Sequence, residues 1–350
     1  MPKPDLKNFT LQQLINFVES LGLSAYRGRQ IFSWLYRPNI TDFAQMTDLS
    51  RKVRELLNDK AMFSLLSPEV EEKSTDGTIK YGFRLHDGAL IESVLIPEEG
   101  RHTLCVSSQV GCAMGCLFCL TGTMGFKRNL TPAEIVGQVG GVLDRIMALD
   151  ASITAPTNQY INNLVFMGMG EPLANLDNIV TALDILQDQR GYNFSERRIT
   201  VSTCGLVPRI KELGERTTVN LAISLHAVDD ETRTKIMPIN STYPIEELLQ
   251  ACRDFPLPKR RRIMFEYILI RDLNDSVEQA RILAKKLKGI RCKINLLPCN
   301  ETPSLPYRKP SEEKIEKFQN VLRDAGYTAI IRSSRGDDIS AACGQLAGKM

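Results

Sequence analysis

Between residues 103 and 332 the chain alternates short apolar runs with amphipathic stretches, and this alternation limits the fold more than any other feature. Strand candidates are Thr103–Ser108, Asn163–Met167, Arg198–Ser202, Asn220–Ser224, Ile263–Ile270, Lys293–Leu297 and Thr328–Arg332. Helical spacing marks 131–148, 176–188, 207–214, 245–253, 276–288 and 311–325 between them. Strand and helix in succession predict a parallel sheet with right-handed crossovers. About six repeats fall short of the eight that close a full barrel, so the expected fold is α/β, a partial (β/α)6 barrel. Ligands then belong at the carboxyl ends of its strands.

The first of these strands runs into Gly111-Cys-Ala-Met-Gly-Cys116-Leu-Phe-Cys119. Three thiolates at this Cys-x3-Cys-x2-Cys spacing suit a cubane iron–sulfur cluster, which takes four cysteines when the protein holds it completely. Three ligands leave one iron open, and an open position is where a metal centre does chemistry. Structural zinc is the first rival. It uses paired Cys-x2-Cys units or added histidines. No second pair exists, and His86, His102 and His226 are isolated. The plainest alternative is a buried cysteine group without metal.

Residues 1–60 read as a small helical domain. Thr10 caps an apolar-periodic stretch that Gly22 ends, and further helices are expected at Gly28–Tyr36 and Ser50–Leu57. Arg27, Arg29, Arg37, Arg51, Lys52 and Arg54 decorate it, as phosphate ligands or as an ordinary solvated face. Residues 61–100 read as a β-hairpin extension, with Lys80–Leu85 and Leu90–Ile96 joined at Asp87-Gly88. Period two puts Glu92 on one face with Leu90, Val94 and Ile96, and pattern alone favours a solvated carboxylate there. Residues 101–350 are the barrel with its C-terminal segment, and 150–160 read as a surface loop.

Forty-four basic against 41 acidic side chains give a net charge of +3, which neither demands nor excludes nucleic acid. The start lacks a signal-like apolar segment and no run approaches the ~18 residues of a membrane span. Nine cysteines then point to a reducing cytoplasm and to metal or redox chemistry, with no membrane partner.

Four segments carry a resemblance that covers nearly the whole chain. They are Cys105-Val-Ser-Ser-Gln-Val-Gly-Cys112, Phe166-Met-Gly-Met-Gly-Glu-Pro172, Ser224-Leu-His226 and Ala341-Ala-Cys343-Gly-Gln-Leu346. The cysteine spacing is that of the radical S-adenosylmethionine (SAM) superfamily. The four segments together resemble the RlmN family of RNA adenine-C2 methyltransferases. The resemblance implies a radical SAM barrel with a [4Fe-4S] cluster on Cys112, Cys116 and Cys119 and two SAM molecules per turnover. It carries SAM contacts to Gly170, Glu171, Ser202, Ser224, Leu225, His226 and Asn300. Phe118 would pack beside the adenine or close the loop over the cluster.

Adenine C2 is not a nucleophile, so polar methyl transfer to it is unreasonable and a radical cofactor is needed. The resemblance implies that Cys343 is methylated by a first SAM. A second SAM gives a 5′-deoxyadenosyl radical, which takes hydrogen from the S-methyl group. The methylene radical adds to C2, and Cys105 resolves the adduct by attack on the Cys343 sulfur, which is thiol–disulfide chemistry. The resemblance places a proton-accepting carboxylate at Glu92, which reverses the solvated reading that pattern alone favours, and Glu92 and Cys105 both remain candidates for the C2 proton. Without the resemblance, Cys343 would be a small buried hydrophobe, as Cys204, Cys252, Cys292 and Cys299 are expected to be.

The implied substrate is an adenosine of 23S rRNA, and in some members also one beside the tRNA anticodon. A target base must leave its stack. Lys127, Arg128, the run Lys259–Arg262, Arg332 and Arg335 are candidate phosphate ligands. An electron donor such as flavodoxin is implied, and the chain is taken as a monomer. The rival readings are a Cfr-type adenine-C8 methyltransferase and a non-catalytic iron–sulfur RNA-binding protein. The second leaves Cys105 and Cys343 without a purpose.

Overall fold

The computed structural model describes residues 2–149, 160–301 and 305–348, so most of the stretch 150–160 read as a loop lies outside the described residues. Helix α1 (Leu11–Ser20) starts in a capping box, with Thr10 and Gln13 each accepting the other's backbone N–H. Helices α2 (Ala25–Leu35) and α3 (Arg51–Lys60) follow. Gly28 lets α2 cross α1 closely, since a Cβ there would stand 2.9 Å from the Ile15 Cα. Tyr36 packs on Tyr192 at 5.3 Å between ring centroids, and Asn8 Oδ1 accepts from the Ala133 N–H. The helical segment is therefore seated on the barrel.

Residues 68–98 form three strands: β1 (Pro68–Lys73), β2 (Ile79–Arg84) and β3 (Leu90–Glu98). The hairpin expected from the Asp87-Gly88 turn is β2–β3, and β1 adds a further antiparallel strand. This meander continues into β4 (Arg101–Cys105), which pairs antiparallel with β3 and begins the parallel part. A separate ribbon of β5 (Gln109–Gly111) and β6 (Phe126–Asn129) brackets the cysteine loop.

Strands β7 (Asn163–Phe166), β8 (Ile199–Thr203), β9 (Asn220–Ser224), β10 (Ile263–Leu269), β11 (Cys292–Pro298) and β12 (Ala329–Ile331) follow β4, all in parallel. The crossovers carry α4 (Pro132–Leu149), α5 (Leu176–Gln187), α6 (Val207–Arg216), α7 (Asp230–Ile236), α8 (Ile245–Asp254), α9 (Val277–Lys286) and α10 (Glu312–Asp324). The sheet order runs β1-β2-β3-β4-β7-β8-β9-β10-β11-β12, with its two ends not paired to each other. The barrel is thus partial, as the repeat count predicts.

One hydrophobic cluster runs from Leu6 to Leu346 and joins all three segments. The chain after β12 spans the open side of the sheet. Ser74 Oγ donates to Asp338 at 2.6 Å, Lys80 Nζ donates to the Ile339 carbonyl at 2.8 Å, and Arg332 reaches Glu98 at 3.4 Å. No helix among the described residues is long and apolar enough to cross a membrane.

Candidate active site

The cysteine loop leaves the carboxyl end of β4 and is pinned at both ends. Gly111 has φ +73°, and a Cβ on it would fall on the Gly125 carbonyl oxygen, so only glycine fits. That oxygen accepts from the Cys112 N–H at 3.0 Å. Leu117 N–H donates to the Ile236 carbonyl of α7 at 2.9 Å, and Cys119 N–H closes a turn onto Cys116 at 3.1 Å. Cys112, Cys116 and Cys119 are all half-buried. Burial first, then the neighbouring Glu171 and Cys119, raises the Cys112 thiol to about 11. Burial and the two partner thiols also push Cys116 up.

Three cysteine thiols that act on one another electrostatically are the donor type that iron–sulfur clusters take from protein, and binding a cation there would favour the thiolate form that burial disfavours.

Phe118 meets His226 edge-on, with centroids 4.8 Å apart and planes at 88°. His226 has φ +60°, a strained conformation for histidine. Its Nδ1 accepts from the Ile268 N–H at 3.0 Å, which leaves the ring proton on Nε2. Burial, with Arg233 adding, lowers this imidazole to about 3, so it is neutral. Leu225 is fully buried, Ser224 ends β9, and Ser202 lies half-buried in β8.

Gly170 has φ +100°, and a Cβ there would lie 2.5 Å from that of Gln109. Glu171 is buried, and both of its oxygens hold backbone: Oε1 accepts from Leu173 at 2.9 Å and Oε2 from Cys204 at 2.8 Å. It thus locks the loop after β7 to the loop after β8. Burial raises its carboxyl above the ordinary range.

Cys343 lies against the cysteine loop. Leu120 N–H donates to the Gly344 carbonyl at 2.7 Å, and Thr121 Oγ1 donates to the Leu346 carbonyl at 2.6 Å. Asn300 donates to the Cys343 carbonyl at 3.1 Å and accepts from Ser334 at 2.7 Å, so its side chain supports the Cys343 backbone. Part of Cys343 is exposed, yet protein crowds the sulfur. That desolvation raises the thiol to about 11, with the Glu266 carboxylate adding to the rise. Cys105, buried at the end of β4, is raised to about 12 by desolvation and by Cys343 beside it.

Glu92 is buried, unlike the solvated carboxylate that pattern alone favours. It is 3% exposed, its Oε2 accepts from the Ala347 and Gly348 N–H groups at 2.9 and 3.2 Å, and Lys80 Nζ stands 3.9 Å from Oε1. Burial outweighs these partners and raises its pKa.

Several candidate phosphate ligands are already engaged. Arg128 is held by Asp87 at 2.7 Å and Glu134 at 2.8 Å, and Arg261 by Glu196 at 2.5 Å. The run Lys259–Arg262 enters β10 at its amino end, opposite the cysteine loop. Lys127 is exposed.

Arg233 and Glu266 are among the buried ionisable residues that escaped the sequence reading. Arg233 is fully buried in α7, and its donors reach the carbonyls of Cys204, Ser224 and Leu225 and the side chain of Asn240. Nothing in the charged run Asp229–Lys235 marks it. Glu266, 6% exposed in β10, had a signal: a lone carboxylate in an apolar strand. The four unassigned cysteines, Cys204, Cys252, Cys292 and Cys299, are buried as expected.

Two family models match the chain. "Ribosomal RNA large subunit methyltransferase N-terminal domain" covers residues 4–63, and "Radical SAM superfamily" covers 106–284. The chain is 56% identical to the dual-specificity RNA methyltransferase RlmN of Desulfotalea psychrophila, over 99% of this chain and 95% of that protein. It is 53% identical to that of Geotalea uraniireducens, over 100% and 98%. A crystal structure of a radical SAM methyltransferase from Sphaerobacter thermophilus superposes with a TM-score of 0.90 at 45% identity, over 99% of this chain and all of that one.

Proposed function

The chain belongs to the RlmN family of radical SAM dual-specificity RNA methyltransferases, and on that premise we propose that it methylates C2 of an adenosine in 23S rRNA and of one beside the tRNA anticodon. Cys112, Cys116 and Cys119 would hold a [4Fe-4S] cluster, which would supply the electron for reductive cleavage of SAM. Cys343 carries the methyl group, and two SAM molecules are used per turnover. Cys105 attacks the Cys343 sulfur to release the methylated base. The C2 proton passes to Glu92 or Cys105.

The supporting observation is the packing of the Cys343 segment on the cysteine loop, through Leu120–Gly344 and Thr121–Leu346, with Cys343 near enough to help raise the Cys105 thiol. A binding protein has no need of two thiols so disposed. Gly170, Ser202, Ser224, Leu225 and the Nε2–H of neutral His226 line the SAM side. Glu171 and Asn300 act there chiefly by holding loops, each keeping a lone pair or donor for the ligand.

Residues 1–60 contact RNA, 61–100 support the Cys343 segment, and 101–350 form the catalytic barrel. The protein works as a cytoplasmic monomer and takes electrons from a donor such as flavodoxin. The test is nucleoside mass spectrometry of an unmodified 23S rRNA fragment after anaerobic incubation with reconstituted protein, SAM and reductant. The expected product is 2-methyladenosine, absent with Cys343→Ala. A product of 8-methyladenosine overturns the regiochemistry, and no methylated adenosine despite SAM cleavage overturns the substrate.

A further inference from the structure

At the carboxyl end of the sheet the loops after β10 and β11 are bonded to each other. Arg271 N–H donates to the Arg308 carbonyl at 2.9 Å, and Arg271 Nε donates to the Lys309 carbonyl at 2.8 Å. Between these loops and the end of α7 lies a cleft of about 380 Å³, lined by Lys235, Ile270, Arg271, Leu273, Tyr307 and Arg308. Leu273 and Tyr307 also pack, together with Phe118 of the cysteine loop, on the apolar clusters around Met237 and Ile270. The cleft thus adjoins the cysteine loop, on the face of the barrel where ligands enter.

Its positive charge is largely unpaired. Lys235 is exposed and, among the described residues, forms no ion pair or hydrogen bond. Arg271 engages only its Nε, so among the described residues its two terminal nitrogens remain as donors. Arg308 donates to the Leu305 and Tyr307 carbonyls through one terminal nitrogen and stands 4.0 Å from Glu301. The acid at the cleft, Asp272, is held by Lys314 at 2.7 Å. Arg128 and Arg261, by contrast, are each paired with carboxylates. Unpaired cations around a half-buried aromatic residue are what a nucleotide requires: positive charge for its phosphate and a π-face for its base.

We propose that this cleft holds a nucleotide next to the target adenosine, with its phosphate on Lys235 and Arg271 and its base against Tyr307. The proposal rests on the RNA reading given above. Extracting one base from its stack leaves its neighbours unstacked, and an aromatic platform at the rim replaces the contact they lose. A concave pocket of this size suits a single nucleotide, whereas a protein electron donor needs a broad face.

The experiment measures binding of an unmodified 23S rRNA fragment to full-length, cluster-reconstituted protein by fluorescence anisotropy across a potassium chloride series. Lys235→Ala should weaken binding and lower the salt slope by about one, and Lys235→Arg should restore that slope. Tyr307→Ala should bind about 10-fold more weakly at every salt concentration with the slope kept, and Tyr307→Phe should retain wild-type affinity. In methylation assays both losses should appear as a raised KM for RNA. A lysine with a merely structural role would leave the slope untouched. Either alanine variant binding RNA as the wild type does overturns the proposal. So does a defect confined to SAM binding, which would give the cleft to the cofactor. Slower reduction by flavodoxin with RNA binding intact also overturns it and gives the cleft to an acidic protein donor. Wild-type protein that fails to bind the fragment overturns the rRNA reading and this proposal together.

Discussion

Glu92 holds the Cys343 segment in place: its Oε2 accepts the Ala347 N–H at 2.9 Å across 255 residues of chain. The same oxygen accepts from Gly348, while Lys80 binds the segment at the Ile339 carbonyl. A candidate proton acceptor thus also anchors the loop that carries the candidate methyl carrier. Glu92→Ala should leave two amides without their acceptor, at about 1–3 kcal/mol. Hydrogen exchange of residues 336–348 should speed up while that of β9 and β10 is unchanged. Unchanged exchange in 336–348 would show that the carboxylate is no anchor.

Arg233 ties the loops after β8 and β9 to α7, the helix that also receives the Leu117 amide. Arg233→Met should strand four acceptors and cost at least about 3 kcal/mol. Urea unfolding measures this, and Arg233→Lys should recover only part, since one ammonium lacks the guanidinium's fork of donors. Full recovery by lysine would contradict the network as described.

Gly111→Ala should spoil the cysteine loop before it spoils the barrel. The added methyl displaces Gly125 and breaks its bond to the Cys112 amide. Iron bound after anaerobic reconstitution should fall severalfold, with far-ultraviolet circular dichroism retained. Wild-type iron content in this variant would refute the steric argument.

His226 makes the fold acid-sensitive. Its pKa falls from 6.5 to about 3 on folding, so the native state binds fewer protons than the unfolded state between those values. Stability is therefore lost as pH drops through that window, by about 2 kcal/mol between pH 7 and 5. His226→Asn keeps an acceptor for the Ile268 amide and tolerates the left-handed backbone. It should remove this slope from urea melts, and an unchanged slope would assign the acid sensitivity elsewhere.

Adjacent basic residues should behave differently toward RNA. Lys127→Ala should weaken binding and reduce the salt slope by about one. Arg128→Ala should leave that slope alone and instead cost stability, because Asp87 and Glu134 already hold the guanidinium. Filter binding across a salt series separates the two. Equal slopes for both variants would mean that RNA breaks the Arg128 pairs.

The order of strands and helices, the β2–β3 turn and the position of the cysteine loop after the first parallel strand were legible in the chain itself. Each depends on periodicity, capping or spacing within a few residues, and such local physics survives without a tertiary context. The roles of charged side chains were not legible in that way. Glu92 sits in a strand whose alternation reads as solvated, yet the returning C-terminal segment buries it. Arg128 meets Asp87 from 41 residues away, Arg261 meets Glu196 from 65, and Arg233 gathers carbonyls from separate barrel loops. Curvature of an open sheet decides which distant carboxylates and carbonyls come within hydrogen-bond reach. A charge's meaning depends on that company, so only the folded chain could distinguish a lone acid such as Glu266 from a solvated one.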